Sequence, residues 1–408
     1  MADILHRTLH QDFSRGWVCL DDYVLGGDSD DTAAFNRAIA AMPESSQFEA
    51  GGGCILLTGR TYTISGPIIA QNSFKMIGCG SDSGTRIWLA NGSDCNMFEI
   101  GARNSSYPMS VHMQGMRIEM DRTQQADGVS NVVGYNYLRH SHFIDLFVVG
   151  ANGPNFEMKV DAGQSPARNS YFYGCAFEYG KVAALRINHD YNLNINSCYF
   201  GFGDVSQSSY GLYLTMTADR FSLNNSWFLQ DSKAGDFYIS GVQNGNIQGN
   251  KFSATANCAA GAAHIYIGTV YNLNIANNIF PNSTLPYNIR TGNSSERTYI
   301  HGNSFGTVGT QPFYFLNKGH VVCQGNFHNN YMLDNNGGQA TIQAGDSYVT
   351  VTHGIFTTPD SVVATPHGAE TVWVSDIGAT TFRINRVIPD SSGGDDLVCS
   401  WRASQRTY

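Results

Sequence analysis

Three acidic residues stand shortly after three consecutive members of a row of regularly spaced phenylalanines. Glu178, Asp204 and Asp231 follow their phenylalanines by one, four and three residues. Paired carboxyl groups hydrolyse glycosidic bonds, one as a general acid and the other as a base or nucleophile. If each phenylalanine marks one coil of a stacked fold, adjacent carboxylates lie about 5 Å apart and alternate ones about 10 Å apart. These distances bracket the separations of the retaining and inverting reactions, so we treat the three residues as candidate catalytic groups.

Two aromatic residues favour the same surface. Tyr199 and Trp227 each precede a phenylalanine of the row by one residue, so on a strand they point outward where the phenylalanine points inward. An exposed aromatic pair beside carboxylates is a surface on which sugar rings stack. Two other interpretations stay open. The acids are also typical of solvated turns, and an outward Trp227 is also typical of a contact between subunits.

A second charged group competes with the first. Met116, Ile118 and Met120 alternate with Arg117, Glu119 and Asp121, which therefore project together from one strand face. Glu119 and Asp121 then lie roughly 7 Å apart, a separation that also suits an acid and a base. A charged outer face with self-compensating pairs explains the pattern equally.

Two histidines suit a different reaction. His140 and His142 share one strand face and could assist a lyase, although surface or hydrogen-bonded histidines are the ordinary alternative. No Walker loop, G-x-S-x-G, H-E-x-x-H or dinucleotide fingerprint occurs in a fitting context. The nine cysteines are scattered without metal-ligand spacing, which indicates assembly in a reducing cytosol. We expect no metal and no cofactor.

The elements that position these residues follow from an internal repeat of 22 to 28 residues. Each unit ends in a phenylalanine: Phe177, Phe200, Phe228, Phe252, Phe280, Phe305 and Phe327. Five residues earlier stands an apolar residue: Phe172, Ile195, Leu223, Ile247, Ile275, Ile300 and Val322. Two residues earlier stands a small or amide residue: Cys175, Cys198, Ser226, Asn250, Asn278, Asn303 and Gly325.

These offsets predict the fold of each coil. An even offset places the small residue inside with the phenylalanine, and the odd offset of five requires a tight bend where Asn, Ser and Gly are favoured. Units of this length built from strands predict a parallel β-solenoid, whose coils bury their apolar faces by stacking. Asn250, Asn278 and Asn303 then form a buried amide ladder.

Composition narrows the possible partners. The chain has 408 residues, of which 14% are charged and 24 are Lys or Arg, and its net charge is −9. That balance argues against a nucleic-acid partner and against anionic membranes. No apolar run approaches membrane-spanning length, and the first ten residues lack the apolar region of a secretory signal.

The pattern divides the chain into three parts. Residues 1–20 are a short N-terminal anchor segment. Residues 21–333 are the solenoid, with a helix near 30–42 that begins after Asp30 and Asp31. Residues 334–408 alternate differently, in five or six short strands between Pro and Gly turns, and predict a small antiparallel β-sandwich.

Several segments carry a family resemblance. DDTAAFNRAIAA at 30–41, GGGCILLTGRTYTISGPI at 51–68 and FKMIGCG at 74–80 resemble the start of the pectate-lyase-like right-handed β-helices, in the branch found in bacteriophage tailspikes. The resemblance spans residues 19–333 and departs from the usual Asp-Phe-Gly-Ala before the helix, with Asp21, Asp22, Tyr23 and Val24 instead. It implies a helix capping the solenoid. Residues 349–359 resemble small C-terminal modules of phage tail proteins, which trimerise the chain or bind glycan, and we expect a structural role for His353.

The resemblance implies a virion protein that acts at the bacterial cell surface and cleaves capsule, O-antigen or exopolysaccharide. It also implies a homotrimer attached through its N-terminus to a phage tail or baseplate protein, and flat outer faces suit such packing. The carboxylates favour glycoside hydrolysis. A polysaccharide lyase and a non-enzymatic receptor-binding spike are the alternatives, because this scaffold hosts several activities.

Overall fold

The structure is a computed structural model that describes residues 17–42, 53–101, 109–135, 138–160, 167–188, 190–201, 210–218, 220–230, 234–254, 262–292, 295–306, 313–315, 321–328, 331–332, 335–353, 355, 358–387 and 395–404. Across these ranges the chain is a right-handed parallel β-helix followed by two small antiparallel sheets. In the described ranges, no helix is both long enough and apolar enough to cross a bilayer.

A short helix closes the first coil. Strand β1 (Trp17–Cys19) leads into a 3-10 turn (Leu20–Tyr23), and helix α1 follows (Thr32–Ala40). The Phe35 ring on its buried face meets Tyr62 and Phe98 edge-on, at centroid distances of 5.6 and 6.4 Å. The helix thus covers the apolar interior, as the sequence predicts.

The two acidic residues before α1, Asp30 and Asp31, have different partners. Asp30 accepts a hydrogen bond from the Thr32 backbone N–H at 2.8 Å. Asp31 makes no side-chain cap, because its carboxylate pairs with Arg60 at 2.9 Å. Arg60 also pairs with Asp21 at 2.8 Å. The segment that departs from the family pattern is therefore tied to the first coil by this arginine.

The first coils contain β2 (Cys54–Leu56), β3 (Thr61–Ile64), β4 (Ile68–Ala70), β5 (Phe74–Ile77), β6 (Arg86–Leu89), β7 (Phe98–Ile100), β8 (Val111–Met120), β9 (Val132–Gly134), β10 (Arg139–Val149) and β11 (Phe156–Met158). The middle coils contain β12 (Arg168–Tyr173), β13 (Ala176–Glu178), β14 (Ala183–Ile187), β15 (Asn192–Asn196), β16 (Tyr199–Gly201), β17 (Tyr210–Ala218), β18 (Arg220–Asn224), β19 (Trp227–Gln230), β20 (Gly235–Val242), β21 (Gly245–Gln248) and β22 (Lys251–Ala254). The last coils contain β23 (Ala263–Ile267), β24 (Val270–Ala276), β25 (Ile279–Phe280), β26 (Tyr287–Thr291), β27 (Ser295–His301), β28 (Ser304–Phe305), β29 (Phe313–Phe315), β30 (Val321–Gln324), β31 (Phe327–His328) and β32 (Tyr331–Met332).

The described strands of the β-helix form three parallel sheets, which we number 1 to 3. Sheet 1 joins β1, β2, β5, the first halves of β8 and β10, β12, β15, β18, β21, β24, β27 and β30. Sheet 2 joins β3, β6, the second halves of β8 and β10, β13, β16, β19, β22, β25, β28 and β31. Sheet 3 joins β4, β7, β9, β11, β14, β17, β20, β23, β26 and β29.

The predicted phenylalanine column is confirmed for six coils. Successive rings stack within the interior at centroid distances of 5.6, 4.6, 4.8, 4.8 and 4.7 Å. They belong to Phe177, Phe200, Phe228, Phe252, Phe280 and Phe305. Sequence-distant residues are therefore vertical neighbours, which lets surface residues of successive coils form one site.

The predicted bend is also confirmed. Three residues before each phenylalanine of this column, the backbone is left-handed with φ between 51° and 67°, at Gly174, Ser197, Asn225, Gly249, Asn277 and Gly302. Gly, Asn and Ser tolerate this conformation better than most residues. The bend separates sheet 1 from sheet 2 in each of these coils.

The prediction for the last repeat is wrong by one residue. Ser304, not Phe305, lies opposite Phe327, and Phe305 lies opposite His328. The left-handed residue Gly325, with φ of 62°, precedes His328 by three positions. A one-residue slip turns a strand residue to the other face, so Phe327 points outward and is 44% exposed.

The same slip displaces the other two columns. Cys323, not Val322, lies opposite Ile300, and Asn326, not Gly325, accepts from Asn303 at 2.9 Å. The apolar column was therefore assigned one residue too early in this coil.

The amide ladder itself is confirmed. Asn250 Nδ2 donates to Asn278 Oδ1 at 3.0 Å, and Asn278 Nδ2 donates to Asn303 Oδ1 at 2.9 Å. Asn278 Nδ2 also donates to the Ile247 carbonyl at 2.9 Å. Because these side chains are buried, each amide satisfies the polar groups of its neighbour in a place that water does not reach.

The C-terminal strands have a separate core. They are β33 (Asn335–Ile342), β34 (Tyr348–Thr352), β35 (Ser361–Pro366), β36 (Val372–Ser375), β37 (Thr381–Arg386) and β38 (Leu397–Ser404). The described part forms two antiparallel sheets, in the orders β33-β38-β35 and β34-β37-β36, with Phe382, Ile384 and Cys399 among their shared buried residues. His353 is buried, and its Nδ1 accepts from the Ile355 N–H at 3.0 Å.

Candidate functional site

The register of sheet 2 places Glu178 and Glu119, one from each of the two competing charged groups, on one surface. Two adjacent columns run along its outer side. The first contains Arg86, Arg117, Phe147, Ala176, Tyr199, Trp227 and Lys251. The second contains Trp88, Glu119, Val149, Glu178, Gly201, Leu229 and Ser253. We call the part of these columns from Arg86 to Trp227 the sheet-2 surface.

Glu178 is half-buried in this surface. Burial raises the pKa of its carboxyl group above the usual value, and the nearby positive charge of Arg117 partly opposes that rise. Desolvation disfavours the ionised form, so Glu178 keeps its proton to a higher pH than an exposed glutamate. A carboxyl group in this state can act as a general acid.

Glu119 has the opposite environment. Its Oε2 accepts from Arg86 Nε at 2.9 Å and from Arg117 Nε at 2.6 Å. The guanidinium groups are themselves held over aromatic rings, Arg86 over Trp88 and Arg117 over Phe147. Two cationic donors hold one oxygen of Glu119 by charge-assisted hydrogen bonds, so the position of its carboxyl group is fixed.

The distance between the two glutamates follows from the register. Val149 lies opposite both Glu119 and Glu178, so the glutamates are two coils apart in one column. With strands about 4.8 Å apart, their backbones are separated by about 10 Å. Side chains that converge from this spacing reach the range of inverting glycosidases.

An aromatic surface adjoins Glu178. A Cβ built on Gly201 would lie 2.5 Å from the Tyr199 ring, which shows that the ring leans across Gly201, the residue paired with Glu178. The Trp227 ring meets Tyr199 edge-on at 5.5 Å and an angle of 72°. It is 43% exposed, and Lys251 Nζ lies 5.0 Å from its centroid. The edge-on geometry leaves aromatic surface available to a sugar ring.

The structure places the other predicted residues differently. Asp121 lies beyond the end of β8 and accepts from the Thr123 N–H and hydroxyl at 3.0 and 2.7 Å, so it caps the turn Arg122–Gln124. Asp204 and Asp231 lie outside the described residues. Within the described chain, Glu178, Tyr199, Trp227 and Glu119 are therefore brought together.

A cleft extends the sheet-2 surface toward the first coils. It has a volume of about 380 Å³ and is lined by residues that include Thr61, Asp82, Thr85, Arg86 and Arg117. Arg86 and Arg117 line this cleft and also belong to the sheet-2 surface. Among the described residues, no three His, Cys, Asp or Glu side chains are grouped to hold a metal ion.

Sheet 1 carries a histidine cluster that sequence reasoning found only in part. The His142 ring stacks on Tyr171 at 4.8 Å and lies 6.0 Å from His112. Burial lowers the pKa of His142, and the charges of His112 and His140 lower it further. His140 itself occupies a left-handed bend, with φ of 51°. The register of β8, β10 and β12, which was not assigned from sequence, is what reveals His112 and Tyr171.

Comparison with known proteins supports the fold. No protein-family model and no curated protein matches the chain. The solved structure of ORF18 from Geobacillus virus E2 matches with a TM-score of 0.57 at 14% identity, over 96% of this chain and 80% of that chain.

Two tailspikes match at lower TM-scores. The tailspike gp61 of Pseudomonas phage phi297 matches at 0.46 and 13% identity, over 96% of this chain and 100% of that chain. The tailspike gp49 of Acinetobacter baumannii bacteriophage Fri1, a capsular polysaccharide depolymerase, matches at 0.45 and 12% identity, over 97% and 85%. Such similarity concerns the fold.

Proposed function

We propose that this chain is a phage tailspike depolymerase that binds a bacterial surface polysaccharide and hydrolyses its glycosidic bonds at the sheet-2 surface. The observation that carries the proposal is the pairing of a desolvated carboxyl group, Glu178, with a carboxylate held by two arginines, Glu119. A desolvated carboxyl group near a second carboxyl group that cations hold in place is an arrangement suited to general acid and base catalysis. The fold shared with a viral protein and the resemblance of residues 30–80 to tailspikes support the virion setting.

In this mechanism a sugar ring stacks on Tyr199 and Trp227, next to Glu178. Protonated Glu178 donates its proton to the glycosidic oxygen as the bond from that oxygen to the anomeric carbon breaks. Glu119 accepts a proton from the water molecule that attacks the anomeric carbon. Arg86 and Arg117 fix the Glu119 carboxylate. The separation of two coils favours inversion, because it leaves room for that water.

Asp204 and Asp231 remain candidates for the second carboxylate. Each follows a phenylalanine of the stacked column, so either could complete the site with Glu178 from a later coil. A partner on a neighbouring coil would favour a retaining reaction, because that reaction requires the shorter carboxyl separation.

A polysaccharide lyase is the second candidate, and the cluster around His142 favours it. A histidine with a lowered pKa is neutral at pH 7 and can abstract the proton beside a uronate carboxyl group. Tyr171, which stacks on His142, would assist the histidine in this proton abstraction. A receptor-binding spike without catalysis is the third candidate and predicts binding with no change in polymer length.

Product analysis separates these candidates. The protein is incubated with capsule, O-antigen and exopolysaccharide preparations, and reducing ends and ultraviolet absorbance are followed. Hydrolysis releases reducing ends without an absorbing product. Elimination yields an unsaturated, absorbing product, which would overturn the hydrolase proposal in favour of the lyase.

The assembly is part of the same proposal. We infer a homotrimer attached to a phage tail or baseplate protein through its N-terminus, because the flat outer sheets of a β-helix can be buried symmetrically around one axis. Light scattering tests it. A trimer gives three times the chain mass of 44.5 kDa, and a monomeric mass would contradict it.

A further inference from the structure

We propose that sheet 3 carries a second polysaccharide site, specific for acidic glycans, along a ladder of tyrosines between two arginines. Five successive coils place Arg186, Tyr213, Tyr238, Tyr266 and Arg290 opposite one another in one outward column. We call this column the tyrosine ladder. It lies on a different sheet from Glu178, so it is separate from the proposed catalytic surface and does not depend on cleavage there.

The rings of the ladder cover one another. Tyr213 stacks on Tyr238 at 4.7 Å and 13°, and Tyr238 stacks on Tyr266 at 5.4 Å and 11°. Parallel rings at this spacing hide their faces, so that edges and hydroxyl groups are left for solvent. Aromatic edges carry partial positive charge and faces carry partial negative charge. The ladder therefore presents the side of the rings that attracts anions.

The arginines close the ladder at both ends. The Arg186 guanidinium lies 5.6 Å from the Tyr213 ring centroid, and that of Arg290 lies 5.2 Å from the Tyr266 centroid. Four coil intervals of about 4.8 Å place the two arginines about 19 Å apart. A segment of a few sugars spans that distance, so a glycan with an acidic group in each repeat unit can meet both cations.

The charge balance at the Arg186 end favours an anion. The buried carboxylate of Glu157 pairs with Lys159 at 2.9 Å and with Arg186 at 3.4 Å. Two cations thus share one anion, which leaves a local positive charge on a chain whose net charge is −9. Arg186 Nε is buried without a hydrogen-bond partner among the described residues. A ligand carboxylate at this end would meet a cation that its own partners do not fully neutralise.

Burial keeps the proton on two phenol groups, those of Tyr238 in the ladder and Tyr210 beside it. Tyr210 packs against Tyr213 and Tyr238, both at 5.6 Å, and burial raises the pKa of Tyr210 to about 12. Burial also raises the pKa of Tyr238. Neutral phenols donate hydrogen bonds to carboxylate and sulfate oxygens, so the ladder offers donors between the two cationic ends.

A glycine beside the ladder makes room for the Tyr238 side chain. A Cβ built on Gly268 would lie 2.7 Å from Ser240 Oγ and 3.3 Å from the Tyr238 hydroxyl. The Tyr238 ring therefore leans over Gly268, which has no side chain to displace it. This arrangement differs from the edge-on pair of Tyr199 and Trp227, which offers a ring face for sugar stacking.

Affinity electrophoresis tests the proposal with the full chain carrying Glu178→Gln, so that cleavage does not interfere. The gels contain polygalacturonate, alginate or hyaluronan as acidic probes, or dextran as a neutral probe. We expect retardation by at least one acidic polymer, weakened by added salt, and none by dextran. No retardation in any acidic gel, or equal retardation by dextran, would overturn the proposal.

Two double variants locate the site. Arg186→Gln with Arg290→Gln should weaken the acidic interaction by about tenfold or more for each arginine lost. Arg383→Gln with Arg402→Gln removes the same charge from the C-terminal sheets and should leave retardation unchanged. Equal loss in both variants would show non-specific attraction and refute the site.

Tyr238→Phe and a matched control, Tyr271→Phe, complete the test. Tyr238→Phe keeps the stack and removes one hydroxyl, so it should weaken binding without lowering the melting temperature. If the arginine variant fails to fold, this variant decides, and unchanged retardation counts against the ladder. Tyr271→Phe removes one hydroxyl from an exposed side chain of β24 in sheet 1, outside both proposed surfaces, and should leave acidic retardation unchanged.

Discussion

Glu119 and Glu178 occupy one column of sheet 2, two coils apart, with Val149 between them. One carboxyl group is desolvated and the other is bound by two guanidinium groups. Arg117 contacts Glu119 and its charge also acts on Glu178, so it couples the two groups. The consequences for pH dependence, for the aromatic surface and for the scaffold can each be measured.

The coupling through Arg117 predicts a shift in the pH profile. In the proposed mechanism Glu178 acts in its protonated form, so kcat/KM should fall as pH rises through its pKa. Arg117 lowers that pKa, and Arg117→Gln should therefore raise it and move the alkaline limb to higher pH. Arg86→Gln removes the other cation from Glu119 and should not move this limb. Hydrolysis rates measured from acid to alkaline pH check both variants, and a shift to lower pH in Arg117→Gln would contradict the assignment.

Gly201 is predicted to set the position of the Tyr199 ring. In Gly201→Ala the new methyl group meets that ring at 2.5 Å, which displaces it from beside Glu178. We expect KM to rise about tenfold, the equivalent of one lost aromatic contact, with a preserved melting temperature. Gly26→Ala is the control, because a Cβ at Gly26 meets nothing within 4 Å.

A double-mutant cycle sharpens this prediction. If Gly201→Ala acts through Tyr199, it should add nothing to Tyr199→Ala. Fully additive effects on KM would show that Gly201 acts by another route.

Two asparagines, Asn274 in β24 and Asn278 in the turn after it, should contribute unequally to the free energy of unfolding, because only Asn278 is buried. Asn278→Ala deprives the Asn250 N–H and Nδ2 of their acceptor in the buried ladder, and should lower the free energy of unfolding by about 2–4 kcal/mol. Asn274→Ala removes an amide from the partly exposed face and should cost less than about 1 kcal/mol. Urea unfolding measures both, and equal losses would contradict the internal ladder.

Because of the register slip in the last coil, two phenylalanines of the repeat should contribute very differently to stability. Phe305→Ala opens a cavity beside Phe280, with which it stacks at 4.7 Å, and should cost about 3–5 kcal/mol. Phe327→Ala alters a side chain that is 44% exposed and should cost less than about 1 kcal/mol. Thermal or urea unfolding measures both losses of stability. A large loss for Phe327→Ala would show that Phe327 lies in the interior column.

The scaffold could be predicted from sequence because each middle coil repeats an apolar pattern at fixed offsets. The interior column that contains Phe200, Phe228 and Phe252 was therefore predicted correctly. The prediction failed at Phe327, because this phenylalanine stands one residue before His328, which continues the column, and a difference of one residue leaves the spacing almost unchanged. The pairings of Phe305 with His328 and of Ile300 with Cys323 reveal the slip.

The candidate surface could be predicted in pieces but not as a whole. Glu178, Tyr199 and Glu119 were all singled out, yet Glu119 was assigned to a competing group. The coils around β8 and β10 have Ile118 and Val148 at the phenylalanine position, so the repeat could not be extended backward to join the two groups. The tyrosine ladder left a signal in the sequence, because Tyr213, Tyr238 and Tyr266 each stand between two apolar residues in successive repeats.

The initial rate of polysaccharide hydrolysis by Glu178→Gln is the most direct test of the catalytic proposal. Glutamine keeps the shape of the side chain but has no proton to donate, so the rate should fall by about 10²–10⁴-fold while polysaccharide binding is retained. Glu119→Gln, Asp204→Asn and Asp231→Asn, measured beside it, identify the second carboxylate as the one whose loss is comparable. A Glu178→Gln protein that hydrolyses the polymer at the rate of the unaltered chain would contradict the account.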